Sequence, residues 1–142
     1  MTERIIIAGA GGQGIMLVGK ILAEAAMQED KFVTWLPAYG AEVRGGSAYC
    51  MVIISDDEIG SPYIKEADAL ISLNTLSLNR FKNRVKKNGF CILNSSFDTA
   101  GMGNKTNVLK YPFSDIAIKL GNIKVANMVA LGCYLEYKKI VT

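Results

Sequence analysis

The chain has 142 residues, half of them hydrophobic and a fifth charged, with 16 Lys and Arg against 13 Asp and Glu for a net charge of +3. That composition suits a globular domain and not a disordered chain, and so small a positive excess gives no argument for a nucleic-acid partner. The sequence holds no histidine, so no His base, Ser-His-Asp or Cys-His nucleophile, or His metal site can be built from this chain alone. Cys50, Cys91 and Cys133 are far apart and form no C-x-x-C pair. This speaks against metal or cluster ligation by the chain and suits free, buried thiols in a reducing cytoplasm. No apolar run reaches the length of a membrane span, and Met1-Thr2-Glu3-Arg4 leads into a strand-like segment without the look of a signal peptide.

Arg4 to Ala8 is a β-branched apolar run suited to a strand buried on both faces. Gly9-Ala10-Gly11-Gly12-Gln13-Gly14 follows, and apolar residues at 15, 18, 22, 25 and 26 then keep helical spacing to Met27. Phe32 to Leu36 reads as a second strand, so the chain opens as a βαβ unit. Pro37 to Gly46 is a loop and Ser47 to Ser55 a long strand. That loop is too short for a helical crossover, so one of the two strands it joins is a candidate for antiparallel pairing. Asp56-Asp57-Glu58 reads as a solvated turn, Ala69 to Leu73 as a short strand, and Thr75 as the N-cap of a helix carrying Leu76, Leu78, Phe81 and Val85. Asn88-Gly89 is a turn before a strand at Phe90 to Leu93. A polar loop over 94–107, a last strand at Val108 to Tyr111, a short helix capped by Ser114 and a final helix from Val125 to Ile140 complete the chain. Strands alternate with helices, without a repeat or linker. The expectation is one α/β domain over 1–142, a three-layer Rossmann-like arrangement with a mostly parallel sheet.

Gly9, Gly11 and Gly14 satisfy G-x-G-x-x-G between a strand and a helix. Glycine permits a tight turn and close backbone approach, and the helix N-terminus turns free N–H groups toward an anion. The same glycines equally suit tight strand–helix packing with no ligand. A dinucleotide site wants an acid about 20 residues on, at the end of the second strand. Thr34-Trp35-Leu36-Pro37 offers none, so NAD(P) is disfavoured. In the next loop Tyr39, Glu42 and Arg44 stand among Gly40, Gly45 and Gly46, a density that suggests backbone close to a ligand or another chain. Arg44 offers a planar fork to a carboxylate or phosphate; the plainer reading is a surface Glu42–Arg44 pair. The basic run from Arg80 to Lys87 reads either as a solvated face or as a docking patch for an acidic protein.

The segment Gly9–Gly14 resembles the G-x-G-G-Q-G opening of gamma subunits of 2-oxoacid:ferredoxin oxidoreductases, and 39–46 (Y-G-A-E-V-R-G-G) resembles that family's next motif. Ile53-Ile54-Ser55-Asp56, Ile59-Gly60-Ser61-Pro62, Asn94-Ser95-Ser96 and the run from Val125 to Gly132 agree in order and spacing. The resemblance implies a subunit with no catalytic residue or metal ligand of its own. Its complex would decarboxylate a 2-oxoacid on thiamine diphosphate with Mg, pass electrons through [4Fe–4S] clusters to ferredoxin and form an acyl-coenzyme A, in anaerobic metabolism. Partners would be alpha and beta subunits, with or without a delta, and no nucleic acid or membrane. It implies a cofactor-side role for Gly9, Gly11, Gly12, Gln13 and Gly14, and an interface or substrate-side role for Tyr39, Gly40, Glu42, Arg44, Gly45 and Gly46. Tyr39, the Gly45-Gly46 pair and Ile53-Ile54-Ser55-Asp56 are most similar to the 2-oxoglutarate type, with the branched-chain and pyruvate types as alternatives. Chains of this family usually continue beyond the position of Thr142 into helical residues. Outside the family, the readings are a free-standing nucleotide-binding oxidoreductase domain and a non-catalytic interaction module.

Overall fold

The structure, a computed structural model, describes residues 1–10, 14–39, 47–95, 107–139 and 141; of Tyr39, Ser47 and Ile123 it describes the backbone alone. Six strands form one sheet in the order β2-β3-β1-β4-β5-β6. They are β1 (Thr2–Ala10), β2 (Phe32–Tyr39), β3 (Ser47–Ser55), β4 (Ala67–Ser72), β5 (Val85–Asn94) and β6 (Asn107–Tyr111). The helices are α1 (Ile15–Gln28), α2 (Thr75–Phe81), α3 (Phe113–Lys119) and α4 (Ala126–Lys138). β1, β4, β5 and β6 pair in parallel, while β3 runs antiparallel to both β1 and β2. The expected antiparallel strand is therefore β3.

Period-two alternation builds the layers. Ile5, Ile7, Cys50, Val52, Ile54, Ala69, Ile71, Phe90 and Ile92 face α1, α3 and α4 in one apolar cluster. Ile6, Ala8, Met51, Ile53, Leu70, Cys91 and Leu93 face α2 and Ile64 in the other. Both faces of the central strands are covered, which is why those strands read as unbroken apolar runs. Among the described residues no helix is long and apolar enough to cross a membrane.

Several local expectations shift. β3, not β2, lies beside β1. Cys50 to Ile54 are fully buried and require a central place, whereas Phe32 and Trp35 are exposed. Pro37, which has no N–H to donate, is tolerated on an edge strand. The N-cap of α2 is Asn74, whose side chain accepts the Ser77 N–H at 2.9 Å, and not Thr75. That helix stops at Phe81; a 3-10 turn over Lys82–Arg84 follows, and Val85 already belongs to β5. Asn88-Gly89 is not a turn ahead of β5 but an irregularity inside it, at the register shift opposite Ala67 and Ala69, with Asn88 at φ 76°. Cys50 and Cys91 are buried, but Cys133 is only half-buried.

Helix α1 sits unusually close to the sheet. A Cβ on Gly19 would lie 2.4 Å from Cys50 Sγ and 3.0 Å from Trp35 Nε1. Gly19→Ala is expected to push α1 off β3 and destabilise the fold by about 1–3 kcal/mol. Adding Cys50→Ala should return part of that loss. A double-mutant cycle from denaturant melts reads the coupling, and strictly additive losses would refute the contact.

At the opposite end of the sheet, Asp56 accepts from the Lys31 ammonium at 2.8 Å and from the N-terminal ammonium at 2.9 Å. These bonds, Lys31 first, hold its carboxyl down at about 2, below the ordinary 3.8. Because the folded value is depressed, the contribution is present above the ordinary value and is lost as pH falls through the folded one. Asp56→Asn is expected to flatten stability between about pH 4 and pH 2, measured by unfolding at stepped pH. The group is exposed, so the difference should shrink in high salt.

Candidate functional site

The parallel strands all end on one edge of the sheet, and the register states what meets there. Ala10 stands opposite Ser47, and Tyr39 opposite Ala48, so the ends of β1 and β2 and the start of β3 are neighbours. Ser72 closes β4 beside Ala8 and Leu93, and Asn94 pairs with Tyr111. The strand ends that flank the glycine turn and the Tyr39–Gly46 segment thus share one edge. Gly9, Gly14 and Tyr39 fall within the described residues. Gly11, Gly12 and Gln13, and Gly40, Glu42, Arg44, Gly45 and Gly46, lie outside them.

This edge is also where the connections diverge. β1 leads into α1, whose Ile15, Val18 and Leu22 pack on one face. β4 leads into α2, whose Leu78 and Phe81 pack on the other. The Leu73 N–H donates to Ala8 O at 3.0 Å, joining the two strand ends at the point of divergence. Open α/β sheets bind ligands in the crevice at such a switch point, outside the carboxyl ends of the strands.

Gly14 is the N-cap of α1 and holds φ 72° and ψ 28°, the left-handed region. A Cβ there would also lie 2.3 Å from Nδ2 of Asn127, the second residue of α4. Two N-termini therefore meet at Gly14, those of α1 and α4. Neither carries an acidic residue in its first turn, and neither N-cap residue supplies a side-chain cap. The positive end of the α1 dipole favours an anion here, whereas α4 is preceded by a 3-10 turn over Ile123–Val125 and its Met128 N–H donates to Asn127 Oδ1 at 2.8 Å.

A buried polar floor supports the edge. Ser72 Oγ donates to Asn74 O at 2.9 Å and lies 2.8 Å from Ser77 Oγ. Asn94 Nδ2 donates to Leu73 O at 3.2 Å and to Ser114 Oγ at 3.0 Å. Ser114 is thus part of this floor and not the cap of α3, whose N-cap is Pro112. Satisfied buried amides and hydroxyls of this kind fix strand ends in place. Asn127 and this floor were not singled out as site residues from the sequence. Asn94 and Asn127 do fall within motifs that carry the resemblance, but no local pattern gives their contacts.

Other chemistry-bearing features are absorbed into structure. Burial pushes the Cys50 thiol up to about 12, with bonds from Trp35 and Gly19 opposing, so it is a protonated thiol at neutral pH. Burial also raises Cys133. Among the described residues no group of three or more His, Cys, Asp or Glu is placed to hold a metal ion. The basic run does not form one free face. The Arg84 guanidinium donates to Ile64 O and lies over the Tyr63 ring, Arg80 lies 4.8 Å over Tyr49, and Lys86 pairs with Asp68 at 2.9 Å. At the far end of α4, Tyr134 OH donates to Glu3 Oε1 at 3.3 Å and Lys138 reaches the same oxygen at 3.6 Å. Burial raises the Glu3 carboxyl, with Lys138 opposing.

The topology also bears on a dinucleotide. The strand beside β1 on the α1 side is β3, which runs the other way and brings Ser47 and Ala48, not an acid, to the edge. The ribose-binding carboxylate of such a site has no counterpart at that position.

Comparison with known proteins gives the family and the fold. The family model for pyruvate ferredoxin/flavodoxin oxidoreductase matches residues 4–142. The chain is 41% identical over 129 residues to ketoisovalerate oxidoreductase subunit VorA of Methanothermobacter thermautotrophicus, covering 91% of this chain and 27% of that protein. It is 34% identical over 148 residues to 2-oxoglutarate synthase subunit KorC of Methanocaldococcus jannaschii, covering 100% of this chain and 78% of that one. The chain therefore spans about a quarter of the length of the first relative and most of the second. Among solved structures, the keto/oxoacid ferredoxin oxidoreductase gamma subunit of Geobacter sulfurreducens superposes with a TM-score of 0.85 at 30% identity, over 99% of this chain and 79% of that one. The fold also recurs, at TM-score 0.88 and 24% identity over 95% of this chain and 24% of that one, in a 2-oxoglutarate:ferredoxin oxidoreductase of Magnetococcus marinus that has 2-oxoglutarate, coenzyme A and succinyl-CoA bound. The relatives are subunits of oxidoreductases, and this chain belongs to the pyruvate ferredoxin/flavodoxin oxidoreductase family.

Proposed function

We propose that the chain is the gamma subunit of a cytoplasmic 2-oxoacid:ferredoxin oxidoreductase, of the 2-oxoglutarate type, and forms one domain over 1–142. The observation that carries this is the shared sheet edge: the strand ends flanking Gly9–Gly14 and Tyr39–Gly46 are in register, beside the N-terminus of α1. Family membership supports it. In the assembled complex, thiamine diphosphate with Mg and the [4Fe–4S] clusters would supply the carbanion and electron-transfer chemistry from the alpha and beta subunits, with or without a delta.

This chain's task is to bind and orient. Gly9, Gly11, Gly12, Gln13 and Gly14 present backbone N–H groups to a phosphate of coenzyme A. Tyr39, Gly40, Glu42, Arg44, Gly45 and Gly46 form the side of the site that meets the partner subunits, with Arg44 pairing an anionic group there. Positioning of this kind can supply a large part of a rate enhancement without a reacting residue. The higher identity to a ketoisovalerate subunit favours the branched-chain type as the second reading.

Anaerobic co-purification from the native cells tests the assignment. Iron, thiamine diphosphate and coenzyme A-dependent ferredoxin reduction should accompany the tagged chain, fastest with 2-oxoglutarate among 2-oxoglutarate, pyruvate and branched-chain acids. In that complex Gly12→Ala should raise the KM for coenzyme A several-fold, and Arg44→Ala should lower turnover or assembly by about tenfold or more. A lone chain without iron or activity would overturn the subunit reading. Normal kinetics in both variants would overturn the roles of the two loops.

A further inference from the structure

Two motifs of the resemblance, Ile53–Asp56 and Ile59–Pro62, take no part in the site above. They lie at the opposite end of the sheet, where Ser55 ends β3 beside Thr2 at the start of β1. There they border a cavity of about 410 Å³. Its floor is held in place. Ser55 is 2% exposed, and its Oγ lies 2.9 Å from Thr2 Oγ1 and accepts the Asp57 N–H at 3.0 Å. Tyr63 forms one wall, with the Arg84 guanidinium over its ring and that guanidinium bonded to Ile64 O. Ile59, half-buried, adds an apolar side.

The charges here are unevenly satisfied. Asp56 pairs with Lys31 and the N-terminal ammonium. Asp57 and Glu58, the next two acids of the same turn, line the cavity and form no ion pair with a described residue. Arg4 lines it too. Its backbone N–H donates to Asp68 Oδ2 at 2.8 Å, but its guanidinium forms no ion pair with a described residue. Two carboxylates and one guanidinium give the lining a net charge of −1. Carboxylates only accept hydrogen bonds and a guanidinium only donates them. The complement is a segment with a basic side chain and a free acceptor oxygen.

We propose that this cavity is a docking pocket for a partner subunit: a basic side chain of that subunit enters beside Asp57 and Glu58, and an acceptor oxygen of the same segment takes the Arg4 guanidinium. This rests on the reading of the chain as one subunit of a larger complex. The physical reason is charge complementarity in a recess. Exposed ion pairs are worth little, but a segment that closes over the cavity removes water from the charges meeting there, and a like charge in the same place is strongly excluded. The stem of the incoming side chain packs on Ile59 while its head reaches the carboxylates.

The tagged chain is purified anaerobically with its complex from the native cells, as the parent and as Asp57→Lys with Glu58→Lys. The readout is the partner subunit retained per tagged chain as salt is raised. The parent should hold its partners, and the reversed pair should hold them about tenfold or more weakly. Asp57→Asn with Glu58→Gln keeps the shape and carries the test if the reversed chain does not fold; it should release partners at lower salt than the parent. Arg4→Gln should act in the same direction. Glu24→Lys with Glu136→Lys makes the same change in net charge at exposed acids of α1 and α4 outside the cavity, and should retain partners like the parent. Equal losses from both reversed pairs would make the effect one of net charge and overturn the proposal. If the parent and the Asp57 and Glu58 variants retain partners alike, the pocket falls and the subunit reading stands. If the parent chain itself emerges alone, both fall.

Discussion

Strand β1 is the constraint on which the other elements depend. Among the described strands it alone pairs with an antiparallel neighbour on one side and a parallel one on the other. Its Ile5, Ile6, Ile7 and Ala8 have no exposed surface, so both faces must be covered and both edges laddered. A one-residue slip would exchange Ile5 and Ile7 with Ile6 and Ala8 between the two cores. The register with β3 and β4 is therefore tightly specified, and with it the height at which each neighbouring strand ends. That height places Ser47 beside Ala10 and Ser72 beside Ala8.

Helix α4 holds both ends of this strand's run. Near its N-terminus Asn127 reaches Gly14, just past the exit of β1. Near its C-terminus Tyr134 and Lys138 reach Glu3, near the entry. The two ends differ in chemistry. At the entry a buried carboxylate is held by a phenol and an ammonium, an arrangement that costs desolvation and serves anchoring. At the exit the contacts are neutral amides and carbonyls beside the N-terminus of α1, an environment that favours an incoming negative charge. The fold thus places a charged anchor at one end of β1 and neutral contacts at the other.

The chain has no histidine, and burial holds the Cys50 thiol protonated at neutral pH. Its relatives are oxidoreductase subunits, and in such assemblies the hard chemistry belongs to cofactors while protein supplies binding and geometry. What the structure adds is a switch point at the exit of β1 and a floor of satisfied Ser and Asn side chains beneath it.

Local physics was enough for much of this. Apolar β-branched runs marked β1, β3, β4 and the core of β5, because strands buried on both faces need no alternation. Glycine between strand and helix marked the turn, and the short connection read over 37–46 already pointed to an antiparallel strand, although β2 in fact runs on to Tyr39. The motifs also carried the family resemblance. What local pattern could not fix was long-range pairing. Nothing in Phe32–Tyr39 or Ser47–Ser55 taken alone says that β3 inserts between β1 and β2; burial on both faces decides it, because Cys50 to Ile54 need neighbours on every side. The extent of β5 depended on the bulge at Asn88-Gly89, which reads as a turn until Ala67 and Ala69 are laid against it. Asn127 gives no local signal of its contact with Gly14, since a buried amide is spent on whatever carbonyl the fold brings near. The sequence by itself determined which segments are strands and helices and which family they belong to. Only the tertiary structure decided which strand ends share an edge and which distant side chain holds the turn, because those are consequences of packing two cores against one sheet.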